Sequence, residues 1–373
     1  MIQAGSVAAL DCFLIADDLT GACDAAVHFA MRGRRTIVPI APCAGLADAS
    51  VIAMSTDSRD LEPAAARDAI SAAASLPVGS PSIIFKKIDS TLRGNAGVEI
   101  DAALAAFRRD AAVVCPAFPR MNRIVEAGYL RINADAGFVP IQVAAHLRAQ
   151  GVEGCVRAEH EAIPEAISSG ARMVVLDAVC DDDLDRIAAV GLALDFRILW
   201  VGSAGLASAL ARMLPVASRS RPRLAPRGPV LFCIGSDHRA TLAQQMALVG
   251  RRQALLVHSG PTNGECMETA LRSGQHVVLR IPLGQVSAQC LKGLVACARN
   301  HALVLSGGAT ASLVCRGAGV QRIDLFDEII PGVPCGVIRG GELDGISVVT
   351  KAGGFGRPDA LIQVADYFTC LNQ

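Results

Sequence analysis

The sequence has no excess charge of either sign: 35 Lys and Arg residues balance 35 Asp and Glu residues, for a formal net charge of zero. No long-range basic field is available to recruit nucleic acid or an anionic membrane, so neither is an expected partner and any anion chemistry must be local. Long apolar runs are missing too, and nothing approaches the ~20 residues of a membrane-spanning helix. The opening MIQAGSVAALDCFLIADD lacks a basic flank and is interrupted by Asp11, so a secretory leader is not expected. The 13 cysteines include no Cys-x-x-Cys, are odd in number, and mostly sit in apolar runs such as AVVC, LFCI and VACA. That argues against a disulfide framework and reads as small core residues in a reducing cytoplasm.

Several catalytic fingerprints are absent: G-x-x-x-x-G-K-[ST], G-x-G-x-x-G after a strand, H-E-x-x-H or His/Cys ligand spacing, and G-x-S-x-G. A Walker-type NTPase, a standard dinucleotide fold, a dedicated zinc site and a serine hydrolase are therefore unsupported. What is present is apolar bulk. Apolar residues make up 52% and charged residues 19% of 373 positions, which excludes bulk disorder and favours two domains.

Short β-branched bursts alternate with Ala/Leu-rich stretches of helical period, the pattern of an α/β protein. Strands are expected at 12–16, 36–40, 51–54, 83–86, 112–115, 173–177 and 198–202. Helices are expected at 21–32, 62–75, 96–108, 141–149, 182–192 and 203–213. The stretch RMLPVASRSRPRLAPRGP carries five arginines, four prolines and no acid, a density that suits an extended connector better than an arginine patch at a phosphate site. The expected division is 1–214, a linker at 215–229, and 230–373. Strands resume at 230–234, 254–258, 276–281, 302–306, 335–339 and 346–350. Each domain is thus expected to hold a largely parallel sheet flanked by helices.

Ligands of parallel α/β sheets sit beyond the carboxyl ends of the strands. The first strand runs into Asp17-Asp18-Leu19-Thr20-Gly21. One Asp is explained as a helix cap, but a second beside it calls for a cation, a basic partner or a substrate hydroxyl. The next strand ends lead into Ser55-Thr56-Asp57-Ser58-Arg59 and Lys86-Lys87-Ile88-Asp89-Ser90-Thr91-Leu92-Arg93-Gly94-Asn95. Guanidinium and ammonium groups suit a substrate carboxylate, while Asp, Ser and Asn suit its hydroxyls. Together these turns describe a pocket for a small polyhydroxy acid. The segment CPAFPRMNR (115–123) and the following GYLRIN fit either a lid or a rigid connector.

The second half repeats the logic with glycines. Its strand ends are Gly235-Ser236-Asp237-His238, Ser306-Gly307-Gly308-Ala309-Thr310 and Lys351-Ala352-Gly353-Gly354-Phe355-Gly356. Main-chain N–H groups at such turns, followed by a helix N-terminus, cradle a nucleotide phosphate without much side-chain charge. His238 beside Ser236 is a weaker candidate phosphate contact.

The segments IADDLTGA, STDSR, KKIDSTLRGN, VVCPAFPRMNR, VGSAGLA, IGSD, LSGGAT, PGVP and KAGGFG, spread in order over nearly the whole chain, resemble the four-carbon acid sugar kinase family. The form KKIDSTLRGN is similar to the threonate-kinase-like branch. The resemblance implies an acid-sugar-binding N-terminal domain and a nucleotide-binding C-terminal domain, with substrate and ATP in the interdomain cleft. It further implies ATP and Mg2+ used to phosphorylate the terminal hydroxyl of a tetronate, D-threonate first, with D-erythronate, L-threonate and 3-oxo-tetronate as alternatives. Asp17, Arg59 and the stretch Lys87, Ile88, Asp89, Ser90 fall on its substrate positions. Ser236, Gly307, Gly308, Ala309, Thr310 and Gly353 fall on its ATP positions. KAGGFG and GGAT depart from the commoner KSGNFG and GGET.

On this reading Arg59, Lys87 and Arg93 hold the substrate carboxylate, Asp17 or Asp89 accepts the proton of the attacking hydroxyl, and Asp18 orients substrate or metal. The metal ligands are not specified. A non-catalytic sugar-acid sensor, and a lyase or oxidoreductase, are the rival classes. A homo-oligomer is compatible with the sequence, which carries no signal for one.

Overall fold

The computed structural model describes residues 10–43, 45–76, 79–133, 137–217, 228–260, 263–282, 284, 291, 293 and 295–370. Met1–Arg35 with Gly45–Ser218 form one compact unit, and Thr36–Ala44 with Arg219–Gln373 form the other. In chain order the elements up to the last helix of the first unit are β1 (Cys12–Ala16), α1 (Leu19–Met31), β2 (Thr36–Pro39), β3 (Val51–Ser55), α2 (Pro63–Ala74), β4 (Ile83–Lys87), α3 (Ala96–Ala106) and β5 (Ala111–Cys115). They continue with β6 (Arg123–Glu126), β7 (Tyr129–Ile132), β8 (Ile141–Gln142), α4 (Val143–Ala149), β9 (Cys155–Ala158), α5 (Ile163–Ser168), β10 (Met173–Leu176), α6 (Asp181–Leu192), β11 (Ile198–Gly202) and α7 (Ala204–Met213).

The first unit's main sheet runs β3, β1, β4, β11, β5, β10, β9, parallel at every pairing. Strands β1, β4, β5, β10 and β11 are buried along their whole length, as a sheet covered on both faces requires. Connections leave β1 and β4 toward opposite sides of this order, which opens a crevice at their carboxyl ends. GYLRIN forms β7 at the centre of a three-stranded antiparallel sheet with β6 and β8. Residues 141–142, expected to be helical, pair in that sheet as β8, and Gln142 caps the helix that starts at Val143.

The second unit holds β12 (Val230–Ile234), α8 (Arg239–Arg252), β13 (Leu255–His258), α9 (Gly264–Arg272), β14 (Val277–Arg280) and β15 (Ala302–Ser306). After these come α10 (Gly308–Gly317), β16 (Arg322–Ile330), β17 (Val333–Arg339), β18 (Ser347–Lys351) and α11 (Ala360–Cys370). Its sheet is mixed. The run β13, β14, β12, β15, β18 is parallel, whereas β18 to β17, β17 to β16 and β16 to β2 are antiparallel. Segment 36–44, inside the expected first domain, therefore groups with the second unit through the pairing of Thr36–Pro39 with Arg322–Leu325. Phe232, Val304, Val349, Leu361 and Phe368 are among the residues of its core. Of the expected linker, 218–227 lie outside the described residues.

Cys12, Cys115, Cys233 and Cys335 are buried free thiols. No helix among the described residues is long and apolar enough to cross a membrane.

Candidate active site

Ala16 is in register with Ser55 and with Lys87, and Lys87 with Gly202. The turns after β1, β3, β4 and β11 therefore leave the sheet at one level, which brings the residues that follow them together. Asp17 follows β1 and is 3% exposed; Asp18 caps α1, with one carboxylate oxygen accepting from the Gly21 N–H and the Thr20 hydroxyl. The helix-cap reading thus holds for Asp18, and Asp17 is the carboxylate left over.

Arg59 answers it. The main-chain N–H groups of Ser58 and Arg59 donate to the Asp17 carbonyl at 3.0 and 3.3 Å, which aims the Arg59 side chain back at β1. Its Nε and Nη2 form a fork on the two Asp17 oxygens, each at 2.8 Å, and Nη1 donates to Asp18. Asp89 lies 3.8 Å from the same guanidinium and is gripped by Arg93 through Nε at 2.9 Å and Nη2 at 2.7 Å, with the Thr91 hydroxyl donating to it as well.

These contacts divide the carboxylates. Burial pushes Asp18 above the usual carboxylate range, outweighing the pull of Arg59, and the adjacent Asp17 charge adds to the rise. Asp89 moves the other way: against the effect of burial, the Arg93 hydrogen bonds and the Arg59 charge hold it well below that range. Arg59, despite its own burial, is held above its ordinary value by Asp18 and Asp17.

Lys87 is different. It is 4% exposed, its ammonium donates to the Ile88 carbonyl at 3.0 Å, and among the described residues it has no carboxylate within ion-pair distance. Ile88 is a core side chain whose N–H donates to Gly202, and Ser90 is buried beside Asp89. Arg93 keeps 60% of its side chain exposed.

Sequence reasoning did not single out Glu99. This residue on α3 pairs with Lys86 at 2.7 Å, both side chains being 1% exposed, and accepts from the Ser58 hydroxyl. It is a charged support directly beneath the Arg59 turn. The available sign was Glu99 as one of two acids, with Asp101, in the otherwise apolar stretch GVEIDAAL, and its partner is the first lysine of KK. Arg123, quoted within CPAFPRMNR, is buried within electrostatic reach of Asp89 and Asp24.

On the second unit, Ile234 is in register with Ser306 and Ser306 with Lys351. Gly307 donates to the Lys351 carbonyl at 2.9 Å and has φ of 105°, a backbone region that favours glycine. It opens α10, whose first N–H groups, at Gly308, Ala309 and Thr310, have no acceptor within the helix and carry the positive end of its dipole. Gly353 packs on Ser236 so closely that a Cβ there would lie 2.2 Å from the Ser236 Oγ. The predicted Ser236, Gly307, Thr310 and Gly353 are thus brought together, with Ala309 exposed at the helix start. His238 caps α8 by accepting from the Ala240 N–H at 3.2 Å, and its ring lies beside Gly354. Arg280 steadies the same turn by donating to the Ser236 carbonyl at 3.0 Å and pairing with Asp237. The Ser306 and Thr310 hydroxyls are buried without a hydrogen-bond partner.

A charged strand-end cluster on one unit and a glycine-lined one on the other fit a protein that handles a small hydroxy acid and a nucleotide. Residues 12–210 match the family model described as a sugar-binding N-terminal domain, and 231–361 the one described as a nucleotide-binding C-terminal domain. The chain is 33% identical to a D-threonate kinase of Bordetella bronchiseptica, over 94% of this chain and 96% of that one. It is also 33% identical to a D-threonate kinase of Cupriavidus necator, over 93% and 95%. The crystal structure of a Haemophilus influenzae protein superposes with a TM-score of 0.69 at 22% identity, covering 95% of this chain and 100% of that one, and so shares the fold. The chain belongs to the four-carbon acid sugar kinase family. It is an ATP-dependent phosphotransferase.

Proposed function

We propose that the protein transfers the γ-phosphoryl group of ATP to the C4 hydroxyl of D-threonate, with Lys87 taking the substrate carboxylate. The observation that carries this assignment is the buried Lys87 ammonium, which no carboxylate among the described residues approaches to ion-pair distance although the Asp18 charge is within electrostatic reach, set beside the Asp17, Asp18 and Arg59 cluster. Arg59 and Arg93 already hold carboxylates, so on this reading they define the walls of the pocket and respond to the substrate through Asp17, Asp18 and Asp89. The identity to D-threonate kinases favours D-threonate over its stereoisomers.

The C4 oxygen attacks the γ-phosphorus, the bond from that phosphorus to the β,γ-bridging oxygen breaks, ADP leaves, and the hydroxyl proton passes to Asp17. Asp18 lies on the same guanidinium beside it. Arg93 and Arg59 hold Asp89 in its ionised form, well below the usual carboxylate range. Its role is to hold those two guanidinium groups in place.

The nucleotide phosphates sit on the N–H groups of Gly308, Ala309 and Thr310, with Ser236 and Gly353 forming the opposite wall. Mg2+ needs few protein ligands when a triphosphate and water supply most of its oxygens. The exposed Asp237 carboxylate beside Ser236 is the group this turn offers it, and the ion supplies charge neutralisation on the phosphates. Reaction requires the phosphate held on the second unit to reach the hydroxyl held on the first.

ADP release measured over D-threonate, D-erythronate, L-threonate and 3-oxo-tetronate tests this reading. The expected result is highest kcat/KM with D-threonate. No acid-dependent ADP release with any of the four would leave a non-catalytic sugar-acid sensor as the better description.

A further inference from the structure

Lys351, at the end of β18, is fully buried, yet no carboxylate approaches it among the described residues. Its ammonium donates instead to main-chain carbonyls of the turn that follows: Ala352 at 2.9 Å, Phe355 at 3.1 Å and Gly353 at 3.5 Å. Two further buried side chains, both from α8, pin the same turn. The Thr241 hydroxyl donates to the Gly353 carbonyl at 2.6 Å, and the Gln244 amide donates to Phe355, Gly356 and Arg357 at 2.9 to 3.0 Å. With the Ala352, Gly353 and Phe355 carbonyls turned onto the cation, the turn sets Gly353 against Ser236.

We infer that Lys351 is a positioning residue of the nucleotide site, whose charged ammonium draws the Ala352–Phe355 carbonyls inward so that Gly353 and Ser236 hold the shape that accepts the nucleotide. This rests on the reading of that turn as a nucleotide site. A buried lysine is costly unless its charge has a use. Here the donors are three and the acceptors are the carbonyls of a single turn.

The groups facing Lys351 leave its charge uncompensated. On α8 they are Thr241 and Gln244; on β15 the register partner is Ser306; on β17 the strand pairs through Cys335, Gly336 and Val337, of which only Cys335 ionises, and burial keeps that thiol neutral. His238, ahead of α8, meets the turn at Gly354. Burial pushes Lys351 down to about 7. Its charge, and with it the full grip on the turn, is therefore lost as pH rises through that value. Stability responds in the opposite sense. Between about 7 and the ordinary lysine value of 10.5 the unfolded chain keeps the proton that the folded chain has released, so this group makes stability rise with pH across that window.

The test uses the full chain, with the non-hydrolysable AMP-PNP and Mg2+ as probe, in titration calorimetry. Wild type is expected to bind more weakly as pH goes from 6 to 9, while its thermal midpoint does not fall in parallel. Lys351→Met should weaken AMP-PNP binding about tenfold or more at pH 6 and abolish the pH trend, with D-threonate affinity unchanged; Lys351→Arg should restore binding without the trend. Wild-type affinity constant from pH 6 to 9, or Lys351→Met binding AMP-PNP as wild type does, overturns the inference. Wild type failing to bind AMP-PNP at any pH overturns the nucleotide-site reading instead.

Discussion

Asp17→Asn is expected to lower kcat by ~10²–10⁴, the usual contribution of a positioned general base, while leaving KM for D-threonate near its original value. The amide cannot take the hydroxyl proton. It also weakens the fork on Arg59, which Asp18 and Asp89 still hold in place, so substrate binding has no reason to weaken. Asp89→Asn should show the reverse pattern: KM rises, because Arg93 and Arg59 lose an anchor, while kcat falls far less. Steady-state ADP release from the two variants separates them. Near-full turnover in Asp17→Asn would show that another group accepts the proton.

Glu99→Gln is expected to destabilise the first unit by about 3–5 kcal/mol, because it leaves the Lys86 ammonium buried without its counter-charge. The same substitution loosens Ser58, whose hydroxyl donates to Glu99, and so disturbs the Arg59 turn. The double variant Lys86→Met with Glu99→Leu removes both charges and should recover most of the loss. The chain has one tryptophan, Trp200, buried on β11 in register with Phe85 of β4, so urea unfolding followed by its fluorescence reports on this unit. Equal destabilisation in the single and double variants would mean that the pair acts through packing rather than charge.

The parts of this molecule that could be read from the sequence are those where one local rule decides. Fully buried parallel strands such as CFLIA, ILWVG and VLFCI announce themselves as apolar bursts, and topology makes the residues just after them the candidates for chemistry. Asp17, Arg59, Asp89, Gly307 and Gly353 were accessible in that way. The strands at β9 and β16 were not, because CVRA and RIDLFDEII mix charge with apolar residues on partly exposed strands, and β16 carries register irregularities. The grouping of segment 36–44 with the second unit rests on an antiparallel pairing across nearly 300 positions of chain, which no local pattern encodes.

Partnership among charges was equally hidden. The sequence lists Lys86 and Lys87 side by side, yet alternation along β4 sends one to Glu99 and leaves the other at the Asp17 cluster. Three cations looked alike as carboxylate binders; the structure shows Arg59 and Arg93 engaged by aspartates at ion-pair distance and Lys87 without such a pair among the described residues. Lys351 ended an apolar strand and gave no sign that it would close onto backbone carbonyls.

The position of the new phosphate ester tests the central claim most directly. NMR spectroscopy of a reaction containing the full chain, D-threonate, ATP and Mg2+ should show a single phosphomonoester, coupled to the C4 protons and formed in step with ADP. An ester on O2 or O3, an acyl phosphate on C1, or ADP accompanied only by inorganic phosphate and unchanged threonate would contradict it.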